Sequence, residues 1–188
     1  MKYKYLLFRN KYFKKIFKLK NYMLYKIRNY LYKKKFLEID TPIISEYLSI
    51  SGSKVLNILI NKFKMELSQS PQIFKQLLMI GGIDKYYQIA KCFRNEKHRN
   101  NRLIEFNQID FEFSFIKKKN ILNFSEKFIK YIFNNIFHKK LSNFKLFNYK
   151  TIIKKYGTDK PNLFFNIKIK YFYINKKKKN LFYNKKKI

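Results

Sequence analysis

At 188 residues the chain is long enough for one cored domain and too short for two, and its 46% hydrophobic and 20% aromatic content sets it apart from disordered chains. A formal charge of +33, from 44 Lys+Arg against 11 Asp+Glu, makes polyanions the natural partners by charge. No run approaches the ~18 apolar residues of a membrane span, and lysines interrupt every apolar run of the first twenty residues, so neither a membrane anchor nor a secretory signal is expected.

The kind of positive charge qualifies its meaning. Arginine occurs only at Arg9, Arg28, Arg94, Arg99 and Arg102, and the rest is lysine in a background rich in Asn, Ile, Phe and Tyr. These residues have A- and T-rich codons, so genome composition and selected nucleic-acid binding both account for the charge. Cys92 is the sole cysteine, which excludes an internal disulfide and a multi-cysteine metal site. With His98 and His138 as the only histidines, no metal site is expected, and a reducing cytoplasm is the expected compartment.

In chain order, apolar residues recur at Phe13, Ile16, Phe17, Met23, Leu24, Ile27 and Leu31, which predicts a basic amphipathic helix from Phe13 to Tyr32. Phe36 to Thr41 reads as a short strand stopped by Pro42, because the residue before proline is pushed to extended geometry. Val55 to Met65 supplies one or two further strands. Ser68-Gln69-Ser70-Pro71 starts a helix whose stripe is Ile73, Phe74, Leu77, Leu78 and Ile80, with Gly81-Gly82 as its stop. Tyr86 to Phe93 reads as a strand and Arg94 to Leu103 as a polar loop. From Glu105 to Phe115 the pattern alternates: Ile109, Phe111, Phe113 and Phe115 share one face, and Gln108, Asp110, Glu112 and Ser114 the other. Helices follow at Ile121 to Phe137 and at Tyr149 to Tyr156, the second ended by Gly157. From Leu163 on there are nine lysines, no acid and no clear period, the mark of a low-complexity, poorly ordered tail.

Chemistry concentrates in the hairpin. Three of the five arginines fall between Arg94 and Arg102, although lysine has replaced arginine almost everywhere else. A planar guanidinium fork grips phosphate in a way a point-charge ammonium cannot, so these are positions where that geometry matters. Asp84, Glu96, Glu105, Asp110 and Glu112 lie in the same neighbourhood. Surface ion pairs are the plain account of such a cluster. A ligand that joins phosphate to an ammonium or an adenine is the functional one.

Phe93-Arg94-Asn95-Glu96, Arg99, Arg102, Glu105-Phe106 and Gln108-Ile109-Asp110 resemble motif 2 of the class II aminoacyl-tRNA synthetases, in their aspartyl branch. Phe36 to Pro42 is similar to motif 1, Gln69 to Met79 to the aspartate-recognition helix, and Tyr156 to Leu163 to the bacterial-type sequence that leads into the insertion domain. The echo begins at Lys2 to Leu6 and continues in order to about residue 163. The resemblance implies an α+β fold, a partial catalytic domain over residues 1–162 built on an antiparallel sheet, with 163–188 as the Lys-rich start of an insertion domain. It implies ATP-dependent ligation of aspartate to tRNA, with ATP and Mg²⁺ as cofactors, tRNA and aspartate as partners and a homodimer formed through Pro42. Arg94 would hold the α-phosphate and Glu96 the adenine end, while Phe106 stacks on the base. Gln72 and Lys75 would receive aspartate, Lys75 pairing its side-chain carboxylate, and Gln108 and Asp110 would orient it, the acid facing its ammonium. The loop of Lys97, His98, Arg99, Asn100, Asn101 and Arg102 would face the tRNA acceptor end.

The sequence also departs from the family pattern. No Gly-rich motif 3 with its γ-phosphate arginine is present, nor the family's acidic Mg²⁺ ligand, and Gly52, Gly81, Gly82 and Gly157 are all placed elsewhere. Ile50-Ser51-Gly52 stands where the family has Pro-Glu-Gly, and Leu103 replaces a glutamine that contacts ATP. The expectation is a split or eroded enzyme, inactive alone and completed by any complementary chain that carries motif 3. Two other readings stay open: a non-catalytic RNA-binding remnant, and a ligase of the asparaginyl or lysyl branch. Gln108-Ile109-Asp110 and Tyr156 to Leu163 favour the aspartyl branch over the last.

Overall fold

The computed structural model describes residues 3, 5–46, 55–96, 102–165, 167–172 and 180–182, the last two stretches of strand for their backbone. The chain divides into two compact units, Met1–Leu141 and Ser142–Ile188.

The first unit opens with α1 (Tyr5–Arg9) and α2 (Lys11–Lys33). Asn10 caps α2 by accepting the Tyr12 N–H at 2.8 Å, and Lys35, at φ 60°, turns the chain out of its other end. Of the amphipathic stripe, Ile27 and Leu31 are fully buried. The short strand β1 (Leu37–Glu38) follows, then β2 (Ile44–Ser45), β3 (Asn57–Ile60) and β4 (Phe63–Leu67). Asn61 and Lys62 join β3 to β4 with φ of 48° and 71°, the paired left-handed geometry of a two-residue hairpin turn. β2, β4 and β3 form an antiparallel sheet in that order.

Helix α3 (Gln72–Ile80) ends as its glycine pair predicts. Gly82 takes φ 91°, its N–H reaches the Met79 carbonyl at 3.1 Å, and the Ile83 N–H reaches that of Leu78 at 3.0 Å, a Schellman closure. The chain then enters β5 (Lys85–Phe93), which pairs antiparallel with β6 (Glu105–Phe113) from Lys85 opposite Phe113 to Phe93 opposite Glu105. β1 joins the other side of β5 in parallel, Leu37 opposite Tyr86, so this sheet is mixed. The long connection through β2 to α3 brings the chain back to the start of the sheet, as a parallel pair requires.

Alternation on the hairpin sorts its residues onto two faces. Tyr87, Ile109, Phe111 and Phe113 meet Ile27, Leu31 and Phe36 and the α4 (Lys118–Phe137) residues Phe124 and Phe128. Phe36 sits 4.9 Å from Phe113 and 5.3 Å from Phe124 between ring centroids, and Phe111 lies 5.3 Å from Phe124. The Phe36–Phe113 and Phe111–Phe124 pairs are edge-to-face, and such pairs add about 0.5–1.5 kcal/mol each beyond their buried area. Phe115 leaves this face: β6 stops at Phe113, Phe115 takes φ 53°, and its ring is wholly exposed. The period of two ends with the strand, so the alternation in sequence overruns the ladder by two residues. The Arg28 Nε–H is shared between both carboxylate oxygens of Glu38, and with Tyr87 donating to Glu38 at 2.7 Å this ties α2, β1 and β5 together.

In the second unit α5 (Tyr149–Tyr156) is capped by Asn148, whose side chain accepts the Lys150 N–H at 3.0 Å, and ends at Gly157 with φ 70°. The Ile169 N–H returns to the Lys155 carbonyl at 2.7 Å, and β7 (Lys170–Phe172) pairs antiparallel with β8 (Asn180–Phe182). This ladder runs through residues whose sequence shows no strand period. Residues 173–179 and 183–188 lie outside the described residues.

Candidate functional site

The face of the hairpin turned away from the aromatic core carries Tyr86, Gln88, Ala90 and Cys92 from β5, directly opposite Glu112, Asp110, Gln108 and Phe106 from β6. Residues two apart on a strand are spaced by about 7 Å, so Phe106, Gln108, Asp110 and Glu112 form a rail roughly 20 Å long. Helix α3 lies over one end of the rail. Its first residues are anchored because the Ser68 N–H bonds the Ile43 carbonyl at 2.8 Å and the Ser68 carbonyl accepts from the Phe93 N–H at 2.9 Å, while Pro71 is fully buried.

Lys75, on α3, reaches down to the rail. Its ammonium lies 3.1 Å from Asp110 Oδ1 and 3.1 Å from Glu112 Oε2. The Lys75 and Asp110 side chains are 12% and 8% exposed, whereas that of Glu112 is 34% exposed, so the first pair is held out of water and the second borders it. Burial disfavours the charged form of Lys75. The Asp110 charge and hydrogen bonds to Glu112 and Asp110 outweigh it, and the pKa rises above the ordinary lysine value of 10.5. Gln108 Nε2 donates to the same Oδ1 at 3.3 Å. Asp110 Oδ2 is buried with no partner among the described residues. An orphaned buried carboxylate oxygen is rare and calls for a donor, and a ligand cation supplies one. Gln72 lies one turn before Lys75 on the same side of α3 and is half-buried.

Beside this cluster, across the strand pair on the same face, lies a second polar group. Gln88 is buried, and its Oε1 accepts from the Tyr86 hydroxyl at 2.7 Å and the Thr41 hydroxyl at 2.9 Å. Burial, reinforced by the Asp110 charge, pushes the Tyr86 hydroxyl well above its ordinary pKa. Burial raises the pKa of the Cys92 thiol too, which keeps it protonated and inert, a small buried hydrophobe.

At the other end of the rail a cleft of ≈ 350 Å³ is lined by Arg94, Glu96, Arg102, Leu103 and Phe106. The Arg94 guanidinium lies 4.9 Å from the centroid of the Phe106 ring, a cation–π contact, and its backbone N–H is held by the Ile104 carbonyl at 2.9 Å. Arg102 forms an ion pair with Glu96 inside the cleft. Two guanidinium forks, an aromatic face and a carboxylate thus meet in one opening, a donor set suited to a phosphorylated base.

Residues 1–185 match the profile of the family described as tRNA synthetases class II (D, K and N). The chain belongs to that family. Among similar proteins, the aspartate-tRNA ligase of Clostridium tetani is 40% identical over 90% of this chain and 29% of its own length. That of Buchnera aphidicola from Baizongia pistaciae is 47% identical over 73% of the chain and 24% of its own length. The Borreliella afzelii relative, an aspartate-tRNA(Asp/Asn) ligase, is 43% identical over 89% of the chain and 29% of its own length. The chain therefore spans less than a third of the length of these relatives.

Within this class II synthetase chain, the structure brings Lys75, Gln108 and Asp110 into contact and gathers Arg94, Glu96 and Phe106 in one cleft. Arg102 stands in that cleft, while the loop residues Lys97, His98, Arg99, Asn100 and Asn101 lie outside the described residues, as does Ile50-Ser51-Gly52. Pro42 is exposed between β1 and β2. Among the described residues no three His, Cys, Asp or Glu side chains gather as a metal site, and the one acid lining the cleft is engaged by Arg102, so the described residues do not fit a Mg²⁺ site. No helix is long and apolar enough to cross a membrane among the described residues.

The sequence assigns no site role to Glu112, Gln88, Tyr86 or Thr41. Glu112 was legible as a neighbour on the chemical face of its strand. Gln88 is the one amide in the sequence of β5, but its pairing with Thr41, 47 residues earlier, depends on the parallel placement of β1.

Proposed function

We propose that this chain supplies the amino-acid pocket and the α-phosphate grip of an aspartate-tRNA ligase. The observation that carries the reading is the rail itself: a protonated lysine beside a buried carboxylate with one unpartnered oxygen, continuous along β6 with a cleft of arginine and aromatic groups. Asp110 Oδ2 accepts the ammonium of aspartate, Lys75 receives its side-chain carboxylate, and Gln72 and Gln108 orient the amino acid. Arg94 binds the α-phosphate of ATP and stabilises the charge that grows as the aspartate carboxylate attacks. Glu96 binds the adenine end and Phe106 stacks on the base. Stacking on the ring face now beneath Arg94 moves the guanidinium off the ring towards the phosphates. The Lys97 to Arg102 loop meets the acceptor end of tRNA, Pro42 lies in a homodimer contact, and a segment with the γ-phosphate arginine and the Mg²⁺ ligands completes the reaction. The cytoplasm is its compartment.

The test is a graft. Residues 1–163 replace the matching segment of the Buchnera aphidicola ligase, and amino-acid-dependent ATP–pyrophosphate exchange is measured with aspartate, asparagine and lysine. Exchange with aspartate that falls at least tenfold in Asp110→Asn is the expected result. A folded graft active with asparagine or lysine instead would assign the chain to another branch, and one silent with all three would favour the RNA-binding remnant.

A further inference from the structure

Residues 142–188 hold fourteen lysines and a single acid, Asp159. The fold draws four of the lysines together. Lys150, Lys154 and Lys155 project from α5, and the Ile169 to Lys155 backbone bond of 2.7 Å brings Lys168 alongside them. Together with Thr151 and Ile169 they line a groove of ≈ 420 Å³ with no acid among its lining residues. Gly157 turns the chain after α5 at a φ of 70°, a conformation that suits glycine, and a Cβ there would also displace the Ile169 Cδ1 methyl 2.8 Å away.

Helix stabilisation accounts for part of this charge only. Lys154 and Lys155 in the last turn complement the helix dipole, but Lys150 in the first turn opposes it, and that turn holds no acid. Exposed aromatic rings are interleaved with the lysines on the same unit, namely Phe147, Tyr149, Phe164 and Phe165. Lysines that line a groove, with open rings close by in sequence, answer to a strand that carries phosphates and bases together; a lipid surface or an acidic peptide offers no bases to stack.

We propose that the α5 groove is an RNA-binding surface in which Lys150, Lys154, Lys155 and Lys168 contact the phosphates of a single strand. It stands on residues 142–188 alone and does not depend on the function read from the hairpin. Four phosphate contacts on single-stranded RNA contribute a salt slope of about −2.8, so between 50 and 200 mM KCl the parent chain should lose about fifty-fold more affinity than a variant without them.

The experiment measures fluorescence anisotropy of a labelled mixed-sequence 20-nucleotide RNA with the full chain, with a Lys150→Gln/Lys154→Gln/Lys155→Gln/Lys168→Gln variant, and with a control that changes Lys11, Lys14, Lys15 and Lys18 to Gln. The expected result is a slope reduced by about three in the groove variant and less in the control. Lysine acetylation of the unmodified chain, with and without RNA, is read in parallel by mass spectrometry and needs no folded variant. Protection of the four groove lysines above the control four supports the groove. Equal slopes in the two variants, equal protection of the two sets, or loss of binding to phosphatidylserine vesicles with RNA binding intact would each overturn it.

Discussion

Replacing Lys75 by Met removes the one cation between two carboxylates. Asp110 and Glu112 each lie 3.1 Å from Lys75 Nζ, so their oxygens are no more than about 6 Å apart, and at an effective dielectric of about 20 two bare charges at that distance repel by roughly 3 kcal/mol. Glu112 is a third exposed and can swing towards water, so the cost falls mainly on Asp110, whose second oxygen has no partner among the described residues. Breaking a buried pair by removal of one partner costs about 3–5 kcal/mol, and relaxation of Glu112 brings the expectation for Lys75→Met to about 2–4 kcal/mol at pH 7. Urea unfolding followed by circular dichroism at pH 7 measures the effect, and Lys75→Met/Asp110→Asn should recover most of the loss by removing the stranded charge. Equal midpoints for Lys75→Met and the parent at pH 7, or a double variant no more stable than the single one, would refute the electrostatic account of this cluster.

Arg94→Lys in the grafted enzyme should lower aspartate-dependent pyrophosphate exchange at least tenfold, because one donor to a developing oxyanion is typically worth 10² to 10³; an unchanged rate removes Arg94 from the mechanism. Gln88→Leu strands the Tyr86 and Thr41 hydroxyls and should cost about 2–4 kcal/mol of stability, seen as a lower urea midpoint with an unaltered slope. Because the pKa of Lys75 is raised above 10.5, binding of a non-hydrolysable aspartyl-adenylate analogue should show no lysine-linked change from pH 6 to 9, and the lysine's share should be lost only as pH climbs through that raised pKa. A calorimetric titration that shows the lysine's proton uptake near pH 8 would contradict this. Gly157→Ala, at φ 70° against Ile169, should destabilise the 142–188 unit by about 1 kcal/mol, measured as faster amide exchange at Ile169.

Local pattern was enough for much of this protein because local pattern is what chain periodicity encodes. The stripe from Phe13 to Leu31, the glycines after Ile80 and Tyr156, and the alternation of β6 each restrict a few neighbouring dihedrals, and the helices and hairpin appear where those restrictions point. The chemical face of β6 was legible for the same reason: a period of two places Gln108, Asp110 and Glu112 together whatever the rest of the fold does. Composition likewise isolated Arg94 and Arg102, since arginine persisted there in a lysine-rich chain. What the tertiary structure alone decided are contacts between elements far apart in sequence. Lys75 meets Asp110 and Glu112 across some 35 residues because α3 is pinned over the hairpin through Ser68, and Thr41 reaches Gln88 because β1 pairs with β5 in parallel. No periodicity records which carboxylate a helix lysine will find, or that one oxygen of Asp110 will be left without a donor. The gathering of Lys168 with the α5 lysines has the same origin, for it depends on one backbone bond to Lys155 that closes a fourteen-residue span and on the left-handed turn at Gly157.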